Sequence, residues 1–326
     1  MQASYLDGRK IVVDGRDFTY FYGTSYLGMP YDDAFKRFIR DGQNKYGSSL
    51  GSSPLSSPQL DIYHQLEACL ANQYGFDRSL LFASGYAAAQ TVVEHYRQLD
   101  FSIEYGNIAH PALKLEKKLL QKNESEKSKQ TLHAIDFIDP ITFELGDQYK
   151  AEQQGDLQLI DASHGFGLFD ESLKSLSHQQ NTLICGSLNK ALGINAGIVL
   201  GSKSQIENLK NTSRYKTSSA PSPAECFALL HALENGLVTQ KKIHLSELTQ
   251  VLSTVDRIRV KAGFPAIIFR DNSQELYEHF KSDNLLIWRN HYPTKQSSLV
   301  NRAVITASHH HEDVSKLINS NFSFTV

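Results

Sequence analysis

Residues 157–201 read LQLIDASHGFGLFDESLKSLSHQQNTLICGSLNKALGINAGIVLG. Three short apolar runs stand out in this stretch, at 157–161 (LQLID), 182–186 (TLICG) and 195–201 (NAGIVLG). Each has the length of a buried strand and is bounded by Gly, Asn, Ser or Asp. Upstream, residues 79–83 (SLLFA) form a fourth such run, and a helix is expected from about Tyr86. Strands that alternate with helices predict an α/β layer built on a mostly parallel sheet.

Working outward, residues 10–22 read as a hairpin that turns at Asp14-Gly15. Helices are expected over 34–46 and 59–74, the latter with Leu60, Tyr63, Leu66, Leu70 and Tyr74 on one face. Between them lies a Gly/Ser/Pro-rich loop, 47–58. Residues 112–130 are highly charged and read as a solvated helix face followed by a loop. Beyond Pro223 the pattern changes to helices near 224–235 and 241–252. A strand at 266–269, a helix at 273–281, strands at 285–288 and 302–306, and a helix from Glu312 follow. The expected organisation is an N-terminal segment (1–35), a large domain (36–222) and a smaller α+β C-terminal domain (223–326).

The chain has 326 residues, 40% hydrophobic and 21% charged, the balance of an ordinary globular protein with a sizeable core. A formal net charge of −2 gives no reason to expect nucleic acid or a membrane surface as partner. The three cysteines contain no CxxC pair and read as reduced thiols. No apolar signal core opens the chain and no run approaches the roughly 20 residues of a membrane span. The expectation is a cytoplasmic protein. His309, His310 and His311 are adjacent and do not face one way, so they read as loop polarity and no metal site is expected. GIVLGSKS (197–204) fails the spacing of a phosphate loop and reads as a strand end and helix cap.

Several residues carry chemistry. Lys190 follows an apolar strand among small and apolar neighbours, where burial lowers an amine's pKa and makes it nucleophilic. Asp161 ends a strand, and strand C-termini are where α/β sheets bind ligands, although an acid there also serves as a turn residue. His164 lies within reach of the same ligand. Ser84-Gly85-Tyr86 joins strand to helix, which suits a phosphate and equally suits a plain helix cap. His110 is a candidate to stack on a ring. Thr217, Ser218 and Ser219 form a hydroxyl cluster that composition alone reads as a polar loop. An aldimine-forming lysine, a carboxylate for the pyridine nitrogen, a stacking group and a phosphate seat are what pyridoxal 5'-phosphate (PLP) requires of a protein.

The order of these pieces resembles the α-oxoamine synthases, fold-type I PLP-dependent transferases. Residues 62–93, with their helix, glycine and strand ending in Ser-Gly-aromatic, are similar to that family's pattern. LIDASHGFG resembles its Asp-Glu-Ala-His-Gly motif, GSLNKALG its Thr/Ser-x-x-Lys motif, and SYLG (25–28) its N-terminal substrate motif. The resemblance implies a seven-stranded type of mostly parallel sheet with a smaller C-terminal domain. It implies a Schiff base at Lys190, His110 on the ring, Asp161 at its nitrogen and His164 at its phenolic oxygen. Ser84, Gly85, Tyr86 and Ser187 would serve the phosphate. YKTSSAPSP (215–223) resembles the segment that reaches a partner subunit's site, so Thr217 and Ser218 would act across a homodimer.

Arg302 matches the family's clamp on the amino acid's carboxylate, and Thr24 stands where the family usually has a substrate-binding Asn. The implied activity is decarboxylating condensation of an amino acid with an acyl-CoA or other acyl thioester. A plain aminotransferase or decarboxylase, and a trimmed PLP-binding homologue with weak or no catalysis, remain compatible with the same residues. The chain departs from the family in its shorter stretch between His110 and Asp161, in Val304 at a second arginine position, and in lacking a recognisable Glu-Gly-x-x-Ser-Met-Asp segment.

Overall fold

The computed structural model describes residues 2–106, 109–114, 130–139, 143, 145, 155–179, 181–254, 264–269, 271–291 and 296–324. By contact the chain divides into two units, Lys36–Pro140 with Glu144–Glu234, and Met1–Phe35 with Ile141–Phe143 and Asn235–Val326.

Among the described residues the first unit is built on a sheet of six strands, against the seven-stranded type that the resemblance implied. Its strands are β4 (Arg78–Phe82), β5 (Ser102–Tyr105), β6 (Thr131–Asp136), β7 (Leu157–Asp161), β8 (Thr182–Ser187) and β9 (Gly197–Gly201), ordered β4-β9-β8-β7-β6-β5. From β5 to β8 neighbouring strands pair in parallel, while β9 runs antiparallel to both β8 and β4. Every residue of β7 and β9 is buried. Strands covered on both faces carry continuous apolar runs, which is why these two were visible as sequence. Among the described strands β5 lies at the end of the sheet and has two exposed residues, and β6 is interrupted by His133, so neither shows such a run. The sequence reading missed both.

Seven helices are described around or leading into this sheet. They are α1 (Asp33–Tyr46), α2 (Asp61–Tyr74), α3 (Gly85–Gln98), α4 (Asp170–Leu176), α5 (Lys203–Lys210), α6 (Ser213–Thr217) and α7 (Pro223–Glu234). α2 ends at Gly75 in the left-handed region, with φ 74°. α5 begins with a reciprocal capping box between Ser202 and Gln205, which accounts for the SKS sequence without a phosphate. Leu80, Phe82, Val92, Val93, Leu132, Leu159, Leu183 and Val199 form one buried cluster between sheet and helices. Burying each such side chain is worth about 2 kcal/mol relative to exposure. Of the charged stretch 112–130, Pro111–Leu113 closes a single 3-10 turn, and residues 115–129 lie outside the described residues.

Among the described residues the second unit has its own six-stranded sheet, ordered β1-β2-β3-β11-β12-β10. Its strands are β1 (Ala3–Leu6), β2 (Lys10–Val13), β3 (Arg16–Phe21), β10 (Ala266–Ile268), β11 (Leu285–His291) and β12 (Leu299–Val304). β2 and β3 pair as the expected hairpin, and Asp14 and Gly15 both take positive φ (49° and 77°) at its turn. β3 then pairs in parallel with β11, Leu285 opposite Thr19. Helices α8 (Leu237–Gln250), α9 (Gln274–Ser282) and α10 (His311–Phe324) complete this unit. The division differs from the expected boundary near Ser222. α7 groups with the large unit, and the N-terminal segment joins the C-terminal one through β3 and β11.

Among the described residues no helix is long and apolar enough to cross a membrane, and no group of three or more His, Cys, Asp or Glu is arranged to hold a metal. Cys185 and Cys226 are buried, Cys69 is half-buried, and all three are free thiols.

Candidate active site

Parallel pairing brings the C-terminal ends of β6, β7 and β8 to one edge of the large unit's sheet, and a cleft opens there. Gly85, Tyr86, His110, Asp161, His164, Ser187 and Lys190, which the sequence nominates from separate segments, all line it. Asp136, Ser163 and Ala112 line it as well and were not nominated.

The phosphate-seat candidate is the start of α3. Ser84 is extended and its Oγ accepts the Ala87 amide at 3.1 Å, a cap worth about 1 kcal/mol. Ser84 itself does not line the cleft. Gly85 lies so close to β8 that a Cβ on it would stand 2.6 Å from the Ser187 amide nitrogen. On the other side, a Cβ at Gly197 would stand 2.1 Å from the Ser84 carbonyl oxygen. Two glycines thus let the helix N-terminus sit against two strands, leaving its first amides at the mouth of the cleft. A 14-residue helix aimed this way attracts an anion through its dipole.

Asp161 is the last residue of β7 and is buried; its Oδ1 accepts the Ser163 amide at 2.9 Å. Ser163 Oγ in turn accepts the Ser187 amide at 2.9 Å, which ties the β7 turn to the end of β8. Lys190 comes three residues later. Burial pulls its amine below the usual lysine range, against the opposing pull of the Asp161 and Asp136 carboxylates.

Asp136 ends β6 directly opposite Asp161 on β7. Its Oδ2 accepts the His110 amide at 2.7 Å. Burial, and then the neighbouring Asp161 charge, push its carboxyl up to about 8. A signal for it existed: β6 ends in Ile-Asp as β7 does, but the strand leading to it was not recognised.

His110 Nδ1 accepts the Ala112 amide at 3.1 Å, so the neutral ring carries its proton on Nε2. Burial lowers its pKa, with Asp161 opposing and Lys190 and Lys114 reinforcing the shift.

The remaining candidates lie elsewhere. Thr217 Oγ1 donates to the Ser213 carbonyl (3.0 Å) and Ser218 Oγ to the Tyr215 carbonyl (3.0 Å); neither residue lines the cleft of its own chain. Thr24 and Arg302 belong to the second unit. Arg302 does not open a strand, as the sequence suggested, but sits inside β12 opposite Trp288 of β11. His309 is a buried structural residue: its Nδ1 accepts the Thr306 amide at 2.9 Å and its ring stacks on Phe21 at 4.4 Å. Gly47-Ser48-Ser49-Leu50-Gly51 has the spacing of a hydrolase nucleophile elbow, but comes after α1 rather than a strand. Ser49 there accepts the Gly51 amide in an exposed loop.

A sheet edge presenting an enclosed lysine, a strand-end carboxylate and a helix N-terminus defines a class of group-transfer enzymes with a lysine-anchored cofactor. The chain belongs to the aminotransferase class I and II family, whose model matches residues 150–320. It is 26% identical to an 8-amino-7-oxononanoate synthase of Enterobacter sp. (strain 638), over 96% of this chain and 91% of that protein. It is 29% identical to the enzyme of that name from Nitrosomonas eutropha, over 74% and 70%. Its fold is shared with a serine palmitoyltransferase of S. paucimobilis solved with PLP and myriocin, at TM-score 0.79 and 15% identity, covering 96% of this chain and 88% of that one. The 8-amino-7-oxononanoate synthase of Francisella tularensis superposes at TM-score 0.69 and 17% identity, covering 93% and 96%. This is the fold-type I, α-oxoamine-synthase-like architecture that the motif order implied.

The cleft fits PLP on its own donors. Glycine-limited close approach leaves a seat at the α3 N-terminus, the Lys190 amine is enclosed, and a buried carboxylate faces it.

Proposed function

We propose that this chain is a PLP-dependent C-acyltransferase that condenses an amino acid with an acyl thioester such as acyl-CoA, releasing carbon dioxide and giving an aminoketone. The observation that carries the reading is the enclosed Lys190 amine beside Asp161 in a cleft closed by the α3 N-terminus. The names of the sequence relatives support the condensation class.

When bound, PLP supplies an electron sink for carbanion chemistry at the amino acid's α-carbon. Lys190 would hold it covalently and would be the group that moves the proton at that α-carbon. Asp161, held by the Ser163 amide, keeps a proton on the ring nitrogen. His110 stacks on the ring and His164 bonds its phenolic oxygen. The first amides of α3, at Gly85 and Tyr86, hold the phosphate together with Ser187, and Ser84 caps the helix that presents them. Thr217 and Ser218 complete the phosphate site of a second subunit, which makes the enzyme a homodimer with shared sites. Arg302 grips the substrate carboxylate and Thr24 borders it. The protein acts in the cytoplasm.

The test begins with visible absorbance on addition of PLP, then borohydride reduction and peptide mapping. A reduced adduct on the Lys190 peptide, missing from Lys190→Ala, is expected. Amino acids are then screened with acyl-CoA donors for thiol release. Adduct formation without thiol release, accompanied by conversion of cofactor to its pyridoxamine form, would replace condensation with transamination.

A further inference from the structure

Arg302 stands across from Trp288 in the β11–β12 ladder, and its guanidinium lies 4.2 Å from the centroid of the Trp288 ring. The Phe143 ring lies 5.3 Å from the same guanidinium. Phe143 is buried and takes a positive φ of 55°, a conformation that side chains with a Cβ rarely adopt and that costs about 1 kcal/mol or more. Its ring stacks on Phe264, at 4.3 Å and an interplanar angle of 29°. Phe264 is met edge-on by Tyr26 of the SYLG segment, at 5.2 Å. A continuous run of rings therefore extends from the N-terminal motif to the arginine, within one unit.

We infer that Trp288 and Phe143 are positioning residues, an aromatic clamp that fixes the Arg302 guanidinium as a receptor for the amino acid's α-carboxylate; this rests on the reading of Arg302 given under the proposed function. A guanidinium offers two faces to π-systems and five N–H donors in its plane. Rings packed on a guanidinium attract the cation and restrict the directions in which its donors can point towards a carboxylate. A long arginine side chain immobilised in this way loses less freedom when it binds, and only one in-plane orientation of the carboxylate satisfies both donors.

Trp288 is the chain's single tryptophan, so the clamp carries its own reporter. A carboxylate neutralising the cation above the ring changes the field on the indole and hence its emission. The experiment titrates the protein, with and without added PLP, with L-alanine and with ethylamine, which lacks the carboxylate. Trp288 emission is expected to change saturably with L-alanine and not with ethylamine. In Trp288→Leu the L-alanine half-saturation, read by cofactor absorbance, is expected to rise about tenfold, while ethylamine is unaffected. Trp288→Phe, which keeps a ring, is expected to restore most of the affinity. The same split should appear in turnover as a raised amino-acid KM with little change in kcat.

Unchanged L-alanine half-saturation in Trp288→Leu, or equal weakening of L-alanine and ethylamine, would overturn the clamp. Loading of Lys190 by PLP is read separately. A protein that loads PLP but gives no carboxylate-dependent emission loses the clamp and keeps its cofactor, whereas one that responds to L-alanine without loading PLP keeps the clamp and loses the proposed function.

Discussion

Asp136 and Asp161 face each other across the β6–β7 ladder, one at the end of each strand, in a cleft that also holds Lys190. Neighbouring strands lie about 4.8 Å apart, so two ionised carboxylates at this position repel strongly in a partly dry site. Burial, and then this repulsion, make Asp136 hold its proton to about 8.

That proton makes stability depend on pH. An aspartate carboxyl titrates at 3.8 when unperturbed, and that of Asp136 at about 8 in the fold. Between those values the unfolded chain has lost the proton and the folded chain retains it, so this group's contribution to stability falls as pH rises from about 4 to about 8. Asp136→Asn is uncharged throughout and keeps an oxygen for the His110 amide. Its apoprotein should gain stability over wild type progressively across that range, measured by urea midpoints at several pH values. A wild-type-to-variant difference that stays constant with pH would count against a raised Asp136 pKa.

His309 gives the opposite slope in the second unit. Burial lowers its pKa to about 4, against 6.5 for an unperturbed ring. Its stabilising contribution is complete above about 6.5 and disappears as pH falls towards 4, because the unfolded chain takes up the proton first. His309→Gln is expected to be less stable at neutral pH and to show a flatter decline on acidification. Thermal midpoints between pH 4 and 7 provide the check.

Gly85→Ala tests the seat at the α3 N-terminus. The new methyl would meet the Ser187 backbone at 2.6 Å, and backbone cannot swing aside as a side-chain tip does. Displacement of the helix start by a few tenths of an ångström should cost about 1–3 kcal/mol and weaken PLP binding at least as much as it weakens the fold. Comparison with Ser84→Ala, expected to cost about 1 kcal/mol through the lost cap, separates the close approach from capping. Isothermal titration with PLP alongside denaturant melts decides between them.

Ser163→Ala removes the acceptor of the Ser187 amide. An unsatisfied amide there costs about 1–3 kcal/mol. Because Ser187 borders the proposed phosphate position, PLP affinity should fall too, while the Asp161–Ser163 backbone contact survives. An unchanged PLP titration would show that the tie between β7 and β8 is dispensable.

Burial decides how much of the fold and site is legible in the sequence. β7, β8 and β9 announced themselves because strands covered on both faces carry uninterrupted apolar runs, and Asp161 and Lys190 were found by their positions at the ends of those runs. Asp136 escaped because His133 interrupts the apolar run of its strand, TLHAID. The unit boundary differs because the change of pattern beyond Pro223 reads as the start of a new domain, whereas the packing of α7 against α2 groups it with the large unit. Trp288 and Phe143 lie far apart in sequence, and nothing in their local context points to Arg302. The register of β11 with β12 makes the first pairing, and tertiary stacking makes the second.

The parallel pairing of β3 with β11 has a consequence for the birth of the protein on the ribosome. Thr19 emerges long before Leu285, its partner in the ladder. The large unit contains none of the strands of that second sheet, so it can complete its core while the N-terminal hairpin waits with one edge unpaired. Closure of so wide a loop is slow for a bare chain, and a folded unit between the two strands shortens the search. The second unit is therefore expected to be the last part of the molecule to assemble, and a nascent chain halted before β11 should already protect the Lys190 cleft from protease while leaving β1 to β3 open to cleavage.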